Sequence, residues 1–308
     1  MTAHASMPTA AHPASPPRGW RLWLVGARPR TLPAAVVPVA VGTAVAVAEG
    51  EAVWWRAASA LVVSLALQVG VNYANDYSDG IRGTDEDRVG PLRLVGSKLV
   101  APGAVKRAML VSFGVAAAAG ATLAAVTSGW LLVVGAAAIL AAWFYTGGPK
   151  PYGYAGFGEV FVFTFFGVVA VVGSAYVQTE HITRVAWSAA IPVGLLATAL
   201  LVTNNLRDIP GDTTAGKNTL AVRLGDRATR TLFIALVVVA LGASGLVAVA
   251  AKSWWPVVGM VAAPAAIGPL RTIRAGASGR ALIAVLAATA RLQLVFGLLL
   301  SAGLVLAR

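Results

Sequence analysis

One polar stretch directly follows an apolar run and carries side chains that bind cations. After the segment LALQVGV come Asn72, Asp76 and Asp79, spaced i, i+4 and i+7. On a helix these three positions share one face. Carboxylate and amide oxygens are hard ligands that suit Mg²⁺ or Mn²⁺. The spacing therefore predicts that this face holds a divalent cation.

A second stretch repeats the pattern. Asn204, Asp208 and Asp212 follow the apolar run LLATALLVT at spacings of i, i+4 and i+8. Pro210 is expected to end this helix, which puts Asp212 at its frayed end. The unit Asn-x-x-x-Asp thus occurs twice, each time at the end of an apolar segment.

Two such clusters facing each other would hold two or more ions around a diphosphate, because Mg²⁺ is typically held by one or two carboxylates plus substrate phosphates. Those ions would neutralise charge on the leaving group, so the four aspartates are the predicted catalytic residues. The alternative for each stretch is a solvated surface loop, and the repeated spacing favours the metal site. Basic residues of the same loops would complete the diphosphate clamp: Arg82, Arg88, Arg93, Lys98 and Lys217.

Three further features have two readings each. Arg28 and Arg30 are either membrane-surface anchors or substrate ligands. The stretch 143–159, with Tyr145 and Lys150, is either an interfacial aromatic belt or a wall for an electron-poor intermediate, since aromatic faces attract cations. Glu159 is either paired with a loop arginine or part of the site.

The elements that position these residues are membrane helices. The chain has 308 residues, of which 58% are hydrophobic and only 12% charged, so a soluble globular enzyme is nearly excluded. A spanning helix needs about 20 mostly apolar residues. We predict an all-α polytopic protein, with residues 1–19 as a disordered tail and 20–308 as one domain. Nine spans are predicted: 32–48, broken by Pro33 and Pro38, then 57–79, 107–127, 129–146, 157–177, 185–207, 230–250, 254–271 and 287–306.

The basic residues predict the orientation of these spans. With nine spans and the N-terminus in the cytoplasm, all but 4 of the 24 Lys and Arg lie on the cytoplasmic side. This bias agrees with the positive-inside rule and puts the C-terminus outside. Both acidic stretches then lie on the cytoplasmic face. The absence of cysteine and the three scattered histidines exclude thiolate and His-cluster chemistry.

The two motifs also resemble a known family. They are similar to those of the UbiA superfamily of intramembrane prenyltransferases, and most like its menaquinone branch, the 1,4-dihydroxy-2-naphthoate polyprenyltransferases. The resemblance covers about residue 20 to the C-terminus. One departure is Gly83, which stands where many members have an acidic residue. The role of the nearby Asp85 is left open. It is carried by the strings NYANDYSDGIRGTD, NNLRDIPGDTTAGKNTLAVRLG, ARPRTLPAAVVPVAVG, DRVGPLRLVGS and YTGGPKPYGYAGFGE.

The resemblance implies a fold and an activity. The fold would be nine transmembrane helices around a central cavity under cytoplasmic cap loops, in a bacterial inner membrane. A polyprenyl diphosphate would donate its prenyl group to 1,4-dihydroxy-2-naphthoate, with loss of CO₂ and diphosphate, giving demethylmenaquinone. Mg²⁺ would be held by Asn72, Asp76 and Asp79 on one side and by Asp208 and Asp212 on the other. Prenyl length and oligomeric state stay open.

Two other functions fit the same motifs. A prenyltransferase for another aromatic acceptor, such as 4-hydroxybenzoate or homogentisate, would keep both clusters. A cation-coupled transporter would also use paired oxygen ligands, but coupling-ion sites usually lie near the bilayer midplane. The predicted position of the clusters at the membrane edge favours the enzyme.

Overall fold

The protein is built from helices. A computed structural model describes residues 17–84 and 92–308, and within these ranges it contains no strand. Residues 1–16 of the predicted tail and Arg88 of the predicted clamp therefore lie outside the described residues. The α-helices are α1 (Trp20–Ala27), α2 (Pro33–Ala48), α3 (Trp54–Ile81), α4 (Pro102–Val126), α5 (Leu131–Phe144), α6 (Gly158–Val162), α7 (Ala170–Thr179), α8 (Arg184–Thr214), α9 (Leu220–Gly242), α10 (Ser244–Ala251), α11 (Ala263–Arg274) and α12 (Ala281–Leu306).

Most of these helices are long and apolar enough to cross a membrane. In the described residues seven candidate spans meet that test, and an eighth is added if α1 and α2, bent by 55°, count as one. The remaining apolar helix, α5, is shorter. The prediction of an all-α polytopic protein is confirmed. The count of nine stays a prediction, because it needs both the bent pair and α5 to cross the membrane.

The prolines and one non-α segment shape the helices around the centre. Pro33 begins α2, as its fixed φ favours, and Pro38 lies inside the same helix. Between α6 and α7 the chain forms a π-helix from Phe163 to Val169, which no sequence pattern predicted. A Cβ added to Gly167 in this segment would lie 2.6 Å from Gly194 Cα. The π segment therefore crosses α8 at very close range.

Helix α2 lies at the centre of the packing. Its valines Val37, Val41 and Val45 are buried in the main apolar cluster together with residues of α7, α8 and α12. Glycines permit the closest contacts: a Cβ on Gly42 would lie 2.5 Å from the carbonyl oxygen of Val171, and one on Gly297 would lie 2.4 Å from Val37. These contacts hold α2 against α7 and α12, and the same apolar cluster includes α8, which carries the second polar motif.

The helices enclose one large cavity of about 1320 Å³. Its polar end is lined by the last turns of α3 and α8, where both sequence motifs lie. Its other end is apolar and is lined by Val39, Ala60, Leu123 and Val177. The cavity thus joins a charged head region to a hydrophobic chamber.

The α2–α7 contact supplies a test of this packing. Replacing Gly42→Ala forces the new methyl group against the backbone of Val171, so we expect the free energy of unfolding to fall by about 1–3 kcal/mol. Thermal unfolding in detergent measures the change. The matched control is Gly114→Ala, because Gly114 is also helical but has open space around the added Cβ. Equal unfolding midpoints for the two variants would contradict the packing described.

Candidate active site

Helix α3 contains two overlapping Asn-x-x-x-Asp units, and the structure separates their roles. Asn72 and Asp76 form one unit, and Asn75 and Asp79 form the other. Asn72, Asn75 and Asp79 line the cavity, whereas Asp76 is not among the lining residues. Asn75 and Asp76 point about 100° apart on a helix of 3.6 residues per turn, and the Asp76 carboxylate is turned to the backbone of Leu94 and Val95. The 75/79 unit is the one that presents its carboxylate to the cavity.

Asp76 instead holds a loop in place. Its two carboxylate oxygens accept hydrogen bonds from the backbone N–H groups of Leu94, at 2.7 Å, and Val95, at 2.9 Å. The side chain is 1% exposed. Because Arg93 directly precedes these two residues, Asp76 fixes the backbone that delivers Arg93 to the cavity.

Asn72 anchors a second segment, the turn between α1 and α2. Its amide Nδ2 donates to the carbonyl of Ala27, at 2.9 Å, and to Thr31 Oγ1, at 3.1 Å. Arg28 lies in this turn in the left-handed region, with φ 53°, and lines the cavity. Asn72 therefore positions a cationic side chain of the site.

The second motif lies at the end of α8, and its three members Asn204, Asp208 and Asp212 all line the cavity. The expectation that Pro210 ends the helix is wrong, because α8 continues to Thr214 with Pro210 inside it. Asp212 is thus held on a helical turn rather than at a frayed end.

Arg207 organises this second turn. The guanidinium donates to both oxygens of Asp208, from Nε at 2.7 Å and from Nη2 at 2.8 Å. Nη2 also donates to Asn204 Oδ1 at 2.8 Å. Arg207 is buried, so the fork-shaped pairing lies away from solvent and fixes both oxygen-bearing side chains.

Lys217 joins the two motifs. Its ammonium Nζ lies 3.0 Å from Asp79 Oδ1 on α3 and 4.0 Å from Asp212 Oδ1 on α8. The side chain is buried, and Nζ lies 4.5 Å from the centre of the Tyr154 ring. One cation therefore contacts carboxylates from both motifs, which places the two acidic turns against the same space.

Tyr154 is a third partner of Asp79. Its hydroxyl donates to Asp79 Oδ1, and its backbone carbonyl accepts from the N–H of Asn218 at 2.9 Å. Burial, reinforced by the charge of Asp79, raises the pKa of the Tyr154 phenol well above its usual value. The hydroxyl therefore remains protonated and serves Asp79 as a hydrogen-bond donor.

Two arginines complete the polar end. Arg93 Nη2 lies 3.6 Å from Asp79 Oδ2, and Arg93 is buried. Arg82 donates to the carbonyls of Thr146, at 2.5 Å, and Gly148, at 2.6 Å, so it fastens the loop after α5 to α3. Both arginines line the cavity.

The remaining predicted site residues divide into two groups. Tyr145 lines the cavity, where it forms an aromatic wall with Tyr152. Arg30, Lys98 and Lys150 are exposed and are not among the lining residues. The structure therefore does not bring these three side chains to the clusters, because their loops direct them to the surface.

The donor set suits a hard divalent cation only together with a substrate. In residues 17–84 and 92–308 no three acidic or histidine side chains converge closely enough to hold a metal ion by themselves. The candidate ligands among the lining residues of the two motifs are Asn75 and Asp79 on α3 and Asn204, Asp208 and Asp212 on α8. Mg²⁺ is typically held by one or two carboxylates together with substrate phosphates, so these side chains suit a Mg²⁺ ion that also binds phosphate oxygens.

Sequence reasoning missed Asn75, Tyr154 and Arg207. The signal for Asn75 was present, since Asn75 and Asp79 have the same spacing as Asn204 and Asp208. Tyr154 had no local signal for its contact with Asp79. Arg207 stood inside the second motif but was counted only as a topology determinant.

Comparisons with known proteins agree with this architecture. A model described as the UbiA prenyltransferase family matches residues 35–280. The 1,4-dihydroxy-2-naphthoate octaprenyltransferase of Mycobacterium tuberculosis is 53% identical over 282 residues, covering 92% of this chain and 96% of that protein. The protein of the same name from Bacillus subtilis is 32% identical, with 94% and 93% covered.

Solved structures show the same fold. A UbiA homolog from Archaeoglobus fulgidus bound to GPP and Mg²⁺ is 14% identical, with a TM-score of 0.64 and coverage of 91% of this chain and 99% of that one. The apo UbiA homolog from Aeropyrum pernix K1, also 14% identical, has a TM-score of 0.69 with 87% and 96% covered. The resemblance seen in the sequence is confirmed: the chain belongs to the UbiA prenyltransferase family.

Proposed function

We propose that the protein transfers a polyprenyl group from polyprenyl diphosphate to 1,4-dihydroxy-2-naphthoate, releasing diphosphate and CO₂ and giving demethylmenaquinol, the hydroquinone form of demethylmenaquinone, for menaquinone biosynthesis. The relatives from Mycobacterium tuberculosis and Bacillus subtilis carry the name of this activity. The observation that carries the proposal is the contact of Lys217 with both Asp79 and Asp212 inside a cavity with an apolar chamber.

Magnesium is the proposed cofactor, in two or more ions, with Mn²⁺ as a substitute. Asn75 and Asp79 would hold it from α3, and Asn204, Asp208 and Asp212 would hold it from α8. Bound there, it would neutralise charge on the departing diphosphate. The archaeal homolog bound to GPP and Mg²⁺ supports this choice. In this scheme Asp76 and Asn72 act by positioning Arg93 and Arg28 rather than as ligands.

The cationic side chains at the polar end would bind the diphosphate. Lys217, Arg93 and Arg28 line the cavity beside the two motifs. Cations fixed where negative charge develops stabilise a transition state without having to reorganise. The isoprenoid tail would lie in the apolar chamber, which excludes water from the reacting carbon.

The chemistry balances without a side-chain base. The allylic carbon–oxygen bond breaks and its electron pair leaves with diphosphate. The ring carbon that bears the carboxylate forms the new carbon–carbon bond, and the bond to the carboxylate then breaks, releasing CO₂ and returning its electrons to the ring. The negative charge of the acceptor is transferred to diphosphate, so no net proton moves. Positive character on the allylic carbon would be stabilised by the aromatic wall of Tyr145 and Tyr152.

The membrane placement follows from charge. We infer nine spans, with α1–α2 as one bent span and α5 as a short one, in a bacterial cell membrane. The N-terminus would be cytoplasmic and the C-terminus outside, since the excess of Lys and Arg favours the cytoplasmic face. The polar end of the cavity would then open beneath cytoplasmic cap loops.

The acceptor is tested directly by an assay. Membranes containing the protein are incubated with Mg²⁺, a polyprenyl diphosphate and one of three acids: dihydroxynaphthoate, 4-hydroxybenzoate or homogentisate. We expect a prenylated, decarboxylated product from dihydroxynaphthoate alone, identified by mass, and no product after EDTA. Product from 4-hydroxybenzoate instead would contradict the proposed acceptor. Cation flux into liposomes without any product would favour a transporter.

The division of roles on α3 gives a second test. Asp79→Asn and Asp208→Asn each replace a proposed carboxylate ligand with a neutral amide, so we expect kcat to fall about 10²–10³-fold and more Mg²⁺ to be needed for half-maximal rate. Asp76→Asn leaves a buried backbone N–H unsatisfied, so we expect unfolding to become easier by about 1–3 kcal/mol while the Mg²⁺ requirement stays that of wild type. A raised Mg²⁺ requirement in Asp76→Asn with unchanged stability would reverse the assignment.

Lys217 gives a third test, on the donor. Lys217→Met keeps the length of the side chain but removes the charge-assisted contacts, so kcat/KM for polyprenyl diphosphate should fall at least about tenfold. Initial rates at varied donor concentration measure it. The matched control is Lys252→Met, since Lys252 is exposed and lies outside the cavity. Unchanged donor kinetics in Lys217→Met would remove Lys217 from the site.

A further inference from the structure

Glu159 is a buried carboxyl that the proposed reaction does not use. It lies in the first turn of α6 and is 7% exposed. Its Oε1 accepts a hydrogen bond from Asn205 Nδ2 at 3.0 Å, and its Oε2 is buried without a hydrogen bond from any other described residue. Burying a carboxyl so poorly satisfied is costly, and in a membrane protein such residues are usually functional.

Its partner Asn205 reaches the cavity. Asn205 is one of the lining residues, whereas Glu159 is not. A carboxylate only accepts hydrogen bonds, so Glu159 draws the amide nitrogen of Asn205 towards itself. The amide oxygen Oδ1 is then the free end, and within the described residues no donor reaches it. The pair therefore presents a fixed hydrogen-bond acceptor to whatever occupies this side of the cavity.

An aromatic surface lies beside this acceptor. A Cβ placed on Gly158 would lie 3.2 Å from the Tyr145 ring and 3.4 Å from Leu201, which is one helical turn before Asn205. The rings of Tyr145 and Tyr152 are 5.6 Å apart, and Tyr152 stacks on Phe161 at 3.9 Å. The first two also line the cavity, as does Phe161. A flat ring bearing a hydroxyl group matches both features.

We infer that Asn205, oriented by Glu159, accepts a hydrogen bond from a ring hydroxyl of the aromatic acceptor while the Tyr145–Tyr152–Phe161 wall contacts the ring. This inference rests on the proposed function and specifies its acceptor subsite. A site built to hydrogen-bond a hydroxyl discriminates against an analogue that lacks it, because the buried polar group is left unpaired. Asn205 is thus a specificity residue, and Glu159 is a positioning residue.

The experiment measures ligand binding without catalysis. The purified full-length protein in nanodiscs, without donor or metal, is titrated calorimetrically with 1,4-dihydroxy-2-naphthoate, 1-hydroxy-2-naphthoate and 4-hydroxy-2-naphthoate. The proteins compared are wild type, Asn205→Leu and Glu159→Gln. Thr203→Val is the matched control, because Thr203 is buried on the same helix and its hydroxyl donates to the carbonyl of Ala199 one turn earlier.

We expect Asn205→Leu to bind the dihydroxy ligand about three- to tenfold more weakly, the loss of one hydrogen bond. The monohydroxy analogue that lacks the hydroxyl bonded by Asn205 should bind wild type more weakly by a similar factor. Asn205→Leu should bind that analogue no more weakly than wild type does. Glu159→Gln should show a smaller loss, since a glutamine no longer fixes the orientation of Asn205. It should also raise the acceptor KM while leaving the donor KM unchanged.

Two outcomes overturn the inference. Equal affinity of wild type and both variants for all three ligands would remove Asn205 from the acceptor site. If the variants lose the same affinity for all three ligands, whichever hydroxyl the ligand carries, the pair has only a structural role. The proposed function fails separately, if wild type makes no product from dihydroxynaphthoate. Thermal unfolding midpoints are measured for both variants, and if Asn205→Leu is unstable the folded Glu159→Gln protein carries the test.

Discussion

Carboxylates on different helices can face one buried space only if positive charge lies between them. Lys217 supplies that charge here, with Nζ 3.0 Å from Asp79 and 4.0 Å from Asp212. Arg207 pairs with Asp208 from within α8, and Arg93 approaches the second carboxylate oxygen of Asp79. Charges removed from water are costly unless paired, so these cations are what allow the two turns to stay close. The proposed ligands, divalent cations and a diphosphate, would meet the same demand, because together they bring both signs of charge.

A second consequence is the division of work along α3. Asn72 and Asp76 hold the flanking segments, and Asn75 and Asp79 are the proposed ligands on this helix. Asn72 fixes the turn with Arg28, and Asp76 fixes the loop with Arg93. A single helix therefore sets both the anionic and the cationic parts of the site. Its motif needs more polar residues than the chemistry alone requires, because some of them only position the others.

Sequence reasoning located most of the long apolar helices and the α8 motif near the end of one of them, because each depends on a local pattern. Apolar runs mark spans whatever they pack against, and α8 contains one Asn-x-x-x-Asp unit, so its register is unambiguous. On α3 two units overlap, and only tertiary packing decides that Asp79 rather than Asp76 faces the cavity. Tyr154 meets Asp79 across 75 residues of chain, which no spacing reveals. Lys98 and Lys150 were predicted to bind substrate because they are near the motifs in sequence. Their loops place both side chains at the surface instead, away from the cavity.

The central claim is that divalent cations bind between the last turns of α3 and α8. The most direct measurement is a crystal structure of the protein with Mn²⁺ and a non-ionisable thio analogue of polyprenyl diphosphate, with Mn²⁺ located by its anomalous signal. The account predicts anomalous peaks between Asp79 on one side and Asp208 and Asp212 on the other, with Lys217 turned from the carboxylates towards the diphosphate. A bound donor with no anomalous peak there, or with peaks only beside Asp76, would contradict it.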